Sequence, residues 1–221
     1  MTTPTTLTPA EAWAQLQQGN ERFIAGEPRH PRQDSERREE LATRQYPVAA
    51  IFGCSDSRLA AEMIFDLGLG DAFVIRNAGQ VVSESALGSI EYAVGILQVP
   101  LLVVLGHDRC GAVRAAIDSQ VPDAELLPPH IASLIAPIIP AVRQVAGTTA
   151  GQTVDAASVD AAAVGRAHLR DTMGELLRQS EMISQAVAAG KLAIVGANYQ
   201  LVEGRVMQDT AIGLDTAAKI A

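Results

Sequence analysis

Three short runs in this chain are apolar without alternating: residues 48–53, 72–77 and 101–106. Unbroken runs of that length, rich in Val, Ile and Leu, predict strands buried on both faces, as in a parallel sheet. A stretch with helical spacing follows each: residues 59–66, 84–97 and 112–118. In the second, Leu87, Ile90, Ala93, Val94 and Leu97 recur at three- and four-residue steps and form an amphipathic stripe. Ahead of the first run, Thr8 as N-cap, Pro9 at the first helical position and Glu11 closing a capping box predict a helix to about Ala25. Trp13, Leu16 and Phe23 lie along one side of it. A polar, proline-containing link (26–33) leads to a short charged helix near 34–44. Farther on, 147–158 reads as a flexible connection, 159–178 as a long helix, and 180–189 as another that stops at Gly190. Residues 192–196 and 200–207 predict a last strand pair around a turn at 198–204. No internal repeat is visible. The expectation is an α/β fold: a central, mostly parallel β-sheet flanked by helices, with an N-terminal helical arm and an antiparallel C-terminal edge strand. One domain would span residues 1–221, the arm occupying 1–45 and the core 46–221.

Composition narrows the function more than the fold. Apolar residues make up 48% of 221, enough for a full core without disulfides. With 17 basic against 25 acidic side chains the net charge is −8, which excludes nucleic acid and anionic membrane as expected partners. The Arg37-Arg38 pair is diluted by Glu36, Glu39 and Glu40 and reads as a solvated helix face. The Thr-rich start has neither a basic nor an apolar segment of the kind a secretion signal needs. No apolar run approaches the roughly 20 residues of a membrane span. Two widely spaced cysteines fit a reducing compartment better than a disulfide, so the cytoplasm is the expected location.

Both cysteines sit in charged motifs directly after strand-like runs: Cys54-Ser-Asp56-Ser-Arg58 after the first, and His107-Asp-Arg-Cys110-Gly111 after the third. A lone cysteine in such a place is usually core. Here His107 and Cys110 share a strand-to-helix turn at a spacing common for two ligands of one metal. Two thiols and an imidazole at neighbouring strand ends suit Zn²⁺, and three protein ligands leave one tetrahedral position open. Gly111 is expected to let the following helix start close against the site. Asp56 and Arg58 are expected to line the same cleft, the guanidinium holding the carboxylate through two parallel hydrogen bonds and aiming it at the metal's open position.

The remaining candidates are weaker. His30 lies in a proline-rich link, His130 follows two prolines, and His168 falls on a charged helix face, so surface or capping positions account for all three. No glycine-rich nucleotide motif is present. The spacing of each cysteine to its following arginine is too short for a thiol-phosphatase loop.

At these residues the sequence resembles the β-class carbonic anhydrases, whose signature is Cys-x-Asp-x-Arg followed by His-x-x-Cys. Similar segments are Phe73-Val-Ile-Arg76-Asn77-Ala-Gly79, Gly88-Ser-Ile-Glu91-Tyr92-Ala-Val94 and Gly19-Asn-Glu-Arg-Phe23. The resemblance implies one zinc per chain on Cys54, His107 and Cys110, an Asp56–Arg58 dyad, and hydration of carbon dioxide to bicarbonate by zinc-bound hydroxide. It also implies Gln45, Phe73 and Tyr92 as substrate-pocket residues of a plant-type member, with Gly111 beside them. Ile51 stands where members with a non-catalytic bicarbonate site carry tryptophan; Ala78 and Gln80 depart from common valine and asparagine. A homodimer or homotetramer is implied, with pocket residues crossing the interface and the N-terminal helices wrapping a neighbour. Activity should rise with pH, because two thiolates cancel the metal's charge and leave bound water less acidic. Two rival readings share the scaffold: a hydrolase acting on CS₂ or a similar small molecule, and a non-catalytic zinc-binding regulator.

Overall fold

The computed structural model describes residues 7–214; the Thr-rich start read for a secretion signal lies outside them up to residue 6. Helix α1 (Pro9–Ala25) opens as its sequence predicts. Thr8 Oγ1 accepts from the Glu11 amide, the Glu11 carboxylate accepts from the Thr8 amide, and Gly26 ends the helix in a left-handed conformation. Helix α2 (Ser35–Leu41) is short, capped by Asp34, and buries nothing.

The sheet contains β1 (Ala49–Cys54), β2 (Ala72–Asn77), β3 (Leu101–His107), β4 (Ala193–Gln200) and β5 (Arg205–Ile212), in the order β2-β1-β3-β4-β5. The first four run parallel to one another, and β5 runs antiparallel to β4 with a register shift at Gly196/Ala197. That last pair reaches further than the sequence pattern implied: β4 continues through the turn expected at 198 and reverses only at 201–204. β1 and β3 are buried along their whole length, whereas β2 is a half-buried edge strand.

Both faces of the central strands are covered. Ala49, Ile51, Leu101, Val103, Leu105, Val195 and Ala197 pack into one core with Leu16 of α1, Ile64 of α3 (Ala61–Ile64), Ile117 of α5 (Gly111–Asp118) and Val142 of α7 (Ile139–Ala146). Ala50, Phe52, Leu102, Val104 and Ile194 pack into a second core, with Ile90 of α4 (Glu84–Glu91), Met173 of α8 (Ala161–Gln179) and Ile183 of α9 (Glu181–Ala188). Each fully buried Leu, Ile or Phe contributes about 1.5–3 kcal/mol, so the two-sided core is where the stability lies.

Three differences from the sequence expectation have local causes. α3 is shorter than residues 59–66, because Ala60 is extended and Asp66 has a left-handed φ of 47°. α4 does not continue to residue 97 as an α-helix but widens into a π-helical turn at Tyr92–Ile96. The region after α5, for which the sequence pattern predicted no element, folds into α6 (Pro129–Ile135), a 3₁₀ turn (Ala136–Ile138) and α7, with prolines at the start of each.

α1 packs onto its own chain. Trp13 and Leu16 are buried, Trp13 Nε1 donates to Gln208 Oε1 at 2.8 Å, and Asn20 bonds the backbones of Ile64, Gly204 and Val206. Of the apolar side chains along this helix, Trp13 and Leu16 are thus covered by their own chain, and Phe23 is partly so. Gly19 makes the close approach possible: a Cβ there would lie 1.8 Å from the Phe65 carbonyl oxygen. Gly19→Ala gains about 1 kcal/mol of helix propensity, but the blocking atom is backbone and overpacking costs typically 1–3 kcal/mol or more. At 1.8 Å from a backbone atom the cost falls at the upper end, about 3 kcal/mol, so the expected outcome is a net loss of about 2 kcal/mol in urea unfolding; a variant as stable as the parent would contradict this packing.

Candidate metal centre

The strand order places the site. The chain leaves β1 for β2 on one side and returns to β3 on the other, so a crevice opens beyond the C-terminal ends of β1 and β3, the usual binding position in such sheets. Gly53 pairs with Leu105, which brings Cys54, the last residue of β1, beside the end of β3 at His107. The chain then doubles back through Arg109, whose φ of 52° is left-handed, and Cys110 caps the start of α5.

Cys54 Sγ and Cys110 Sγ are 4.0 Å apart, and both thiols are free and buried. A disulfide needs about 2.05 Å, whereas two sulfurs at about 2.3 Å from one tetrahedral ion stand roughly 3.8 Å apart. The donor atoms of Cys54, His107 and Cys110 all lie within 4.8 Å of one another. His107 Nδ1 is 2.8 Å from the Asp108 carbonyl oxygen, which only accepts, so Nδ1 carries the proton. That leaves Nε2 as the donor atom, buried and without a hydrogen-bond partner. The residues fit zinc in number, softness and spacing.

The electrostatics agree. Burial alone would lower the His107 pKa, but the Cys54 sulfur and the Asp56 carboxylate reverse this and raise it. The neighbours that favour a charged imidazole would equally hold a cation. The two thiols share their burden unequally. Hydrogen bonding from Cys110, and lesser donors including the Gly79 amide, pull Cys54 toward thiolate, while the same contact and burial push Cys110 up.

Asp56 and Arg58 form the fork the sequence predicted. Arg58 Nε donates to Asp56 Oδ1 at 2.9 Å and Nη2 to Oδ2 at 2.8 Å, and the Arg58 amide adds a third bond to Oδ1 at 3.0 Å. These bonds hold the Asp56 carboxyl well below the usual carboxylate range. Its Oδ2 stands 4.0 Å from His107 Nε2, facing the donor cluster.

Sequence reasoning passed over two residues here. Arg76 donates to the carbonyls of Cys54 and Asp56, at 3.0 and 2.8 Å, and so fixes the loop that carries both. An arginine near the end of an otherwise apolar strand was the available signal. Asp108 accepts from the Leu201 amide at 2.9 Å and ties the His107 turn to the end of β4.

The expected pocket residues do not meet at this site within one chain. Phe73 and Tyr92 pair with each other, ring centroids 6.0 Å apart. Phe73, however, is level with Ala50, whereas Cys54 is level with Asn77; at about 3.3 Å per residue that is roughly 13 Å down the strand. Gln45, exposed ahead of β1, lies toward the same far end, and Tyr92 is 46% exposed. Gly111 begins α5 beside the site, but a Cβ there would meet nothing within 4 Å, so close packing is not its reason. His168 corrects the sequence reading: its helix face looked solvated, yet it is 2% exposed. Gln80 is also buried, with a left-handed φ of 41° and no partner for Oε1.

The family described as carbonic anhydrase matches residues 49–206, the span that contains every metal-donor residue. Carbonic anhydrase 2 of Mycobacterium tuberculosis is 46% identical over 205 residues, covering 93% of this chain and 95% of its own. A carbonic anhydrase of Mycolicibacterium smegmatis is 45% identical over 206 residues, with the same coverage. Among solved structures, the Coccomyxa β-carbonic anhydrase in complex with acetazolamide superposes with a TM-score of 0.67 at 25% identity, covering 79% of this chain and 78% of that one. A tetrameric β-carbonic anhydrase of Sordaria macrospora gives 0.61 at 26%, covering 77% and 84%. Fold, donor set and relatives converge: this chain belongs to the β-carbonic anhydrase family.

Proposed function

We propose that the protein catalyses the reversible hydration of carbon dioxide to bicarbonate and a proton, with Cys54, His107 and Cys110 holding one zinc and Asp56 and Arg58 ordering the reactants beside it. The observation that carries this reading is the buried two-sulfur, one-nitrogen cluster faced by Asp56 Oδ2. Zinc in such a site acidifies water, supplying a nucleophile near neutral pH. The protein does the rest. Cys54 and Cys110 border the apolar core, which suits an uncharged substrate. Asp56 accepts a hydrogen bond from the reacting water and so orients it. With its pKa so far depressed, Asp56 does not serve as the resting proton acceptor at neutral pH. Arg58, fixed on Asp56, keeps that carboxylate from moving onto the metal.

Gln45, Phe73 and Tyr92 would then serve the site of a second copy, because their own chain holds them at the far end of the sheet. Exposed Met63, Tyr92 and Ile96, and the tetrameric Sordaria relative, support a homodimer or homotetramer. Among the described residues no helix is long and apolar enough to cross a membrane. The two free thiols fit a reducing compartment and so support a cytoplasmic enzyme acting as one domain on a dissolved small molecule.

Stopped-flow hydration assays on zinc-quantified protein test the reading: about one zinc per chain and CO₂-dependent proton release are expected. Cys110→Ser should lose both together; stoichiometric zinc in that variant would remove Cys110 from the ligand set.

Assembly is tested by sedimentation at micromolar concentration with activity measured alongside. Activity confined to oligomeric fractions is expected, and a fully active monomer would contradict pocket residues shared between copies.

The dyad predicts its own pH behaviour. A depressed Asp56 pKa means the Asp56–Arg58 pair is intact above the ordinary carboxylate pKa near 4 and is lost only as pH falls through the depressed value. The rise of activity expected from about pH 6.5 to 9 thus reports the reacting water, whose pKa exceeds the roughly 7 of a three-histidine site, and not Asp56. Arg58→Ala should retain zinc yet lose about tenfold or more in kcat/KM. Arg58→Lys should recover little, since an ammonium cannot bond both carboxylate oxygens in one plane. A flat wild-type profile over that range, or a fully active Arg58→Ala enzyme, would contradict this role.

A further inference from the structure

His168 sits in the middle of α8, buried, and reaches across to the loop after β2. Its Nε2 is 2.7 Å from the Gly79 carbonyl oxygen. A carbonyl only accepts, so Nε2 carries a proton and donates. Nδ1 is buried with no partner, and a second proton there would be a buried, unpaired charge. The ring is therefore the neutral Nε2–H tautomer. Burial keeps its pKa down against the opposing pull of the Gly79 carbonyl and Asp171.

The other side of Gly79 faces the metal centre. Its amide donates to Cys54 Sγ at 3.3 Å. Gly79 takes a φ of 78°, and a Cβ would lie 2.9 Å from Ala112 Cβ and 3.1 Å from Ile138 Cδ1. Only glycine brings its amide to the sulfur in this place. Asn77 braces the same loop by bonding the Val81 amide and carbonyl, at 2.8 and 2.7 Å. That bracing leaves the middle of the loop, Gly79 itself, to be held from outside.

We propose that His168 is a positioning residue for the metal centre: by gripping the Gly79 carbonyl from α8 it keeps the Gly79 amide on Cys54 Sγ. The hydrogen bond stabilises negative charge on sulfur and so favours the thiolate, the form in which Cys54 can hold a metal, over the protonated thiol. Outer partners of this kind fix a ligand's orientation and tune the ion it binds. The Nε2–H tautomer gives the arrangement its direction, because the opposite tautomer would set a lone pair against the carbonyl. This role rests on Cys54 being a zinc ligand, as proposed above.

Two substitutions separate positioning from packing. His168→Gln keeps an N–H at a similar reach, and His168→Leu fills similar space without a donor. In the zinc-loaded proteins, transfer to a chelator should be about ten- to a hundredfold faster for His168→Leu, with His168→Gln close to wild type. In the cobalt(II)-substituted proteins the thiolate-to-cobalt charge-transfer band should shift in His168→Leu and stay put in His168→Gln. Wild-type release and an unshifted band in His168→Leu would overturn the proposal. So would equal changes in both variants alongside equal losses of thermal stability, since these would mark a purely structural contact. Should His168→Leu fail to fold, ¹⁵N NMR of the histidines in the wild-type holoenzyme decides. A non-titrating Nε2–H ring at His168 from pH 6 to 9 is expected; an Nδ1–H ring, or one titrating like an exposed histidine, would overturn it. A wild type that binds no zinc would instead refute the ligand assignment beneath it.

Discussion

The parallel pairing of β1 with β3 is the constraint on which the site depends. With Gly53 level with Leu105, the last residues of the two strands, Cys54 and His107, come to the same crevice. Cys54 and His107 are buried there, and the left-handed Arg109 turns Cys110 back to join them. Slide β3 by one residue against β1 and every side chain on it changes face, which would exchange the two cores as well as scatter the ligands. Core and metal centre are thus held by the same register. The apolar packing of Ile51, Val103 and Leu105 on one face, and Phe52 and Val104 on the other, is what enforces it.

Around that cluster, charge is arranged in shells. Innermost are two sulfurs and a bare imidazole nitrogen, which together favour a cation. Next come groups that fix those donors by backbone bonds: Arg76 on the Cys54 and Asp56 carbonyls, Asp108 on the Leu201 amide, and the Gly79 amide on Cys54 itself. The Asp56–Arg58 fork sits at the open side. Its strong pairing keeps Asp56 ionised and oriented, which makes it an acceptor for hydrogen bonds and a poor store for protons.

Much of this was legible in the sequence, for identifiable reasons. Unbroken apolar runs marked β1 and β3 because both strands are buried on both faces. The capping box of α1 was visible because its donors and acceptors are close in the chain. Cys54, Asp56, Arg58, His107 and Cys110 stood out because their chemistry is rare and locally clustered. What stayed hidden depends on contacts between distant segments. His168 looked solvated beside Arg166, Arg170 and Asp171, since nothing in its own helix reveals the Gly79 carbonyl across from it. The side of α1 that carries Trp13 and Phe23 gave no sign of what covers it, since Gln208, which bonds Trp13, lies almost two hundred residues away on β5. Residues 129–146 hid their helices behind prolines, which interrupt a pattern when read along the chain but start helices in space.

The central claim is that two thiolates and one imidazole of a single chain hold a zinc ion. X-ray absorption at the zinc edge of the intact, as-purified protein tests it most directly. The account predicts two sulfur scatterers at about 2.3 Å with imidazole nitrogen at about 2.0–2.1 Å. A zinc environment of nitrogen and oxygen alone, or of one, three or four sulfurs, would contradict it.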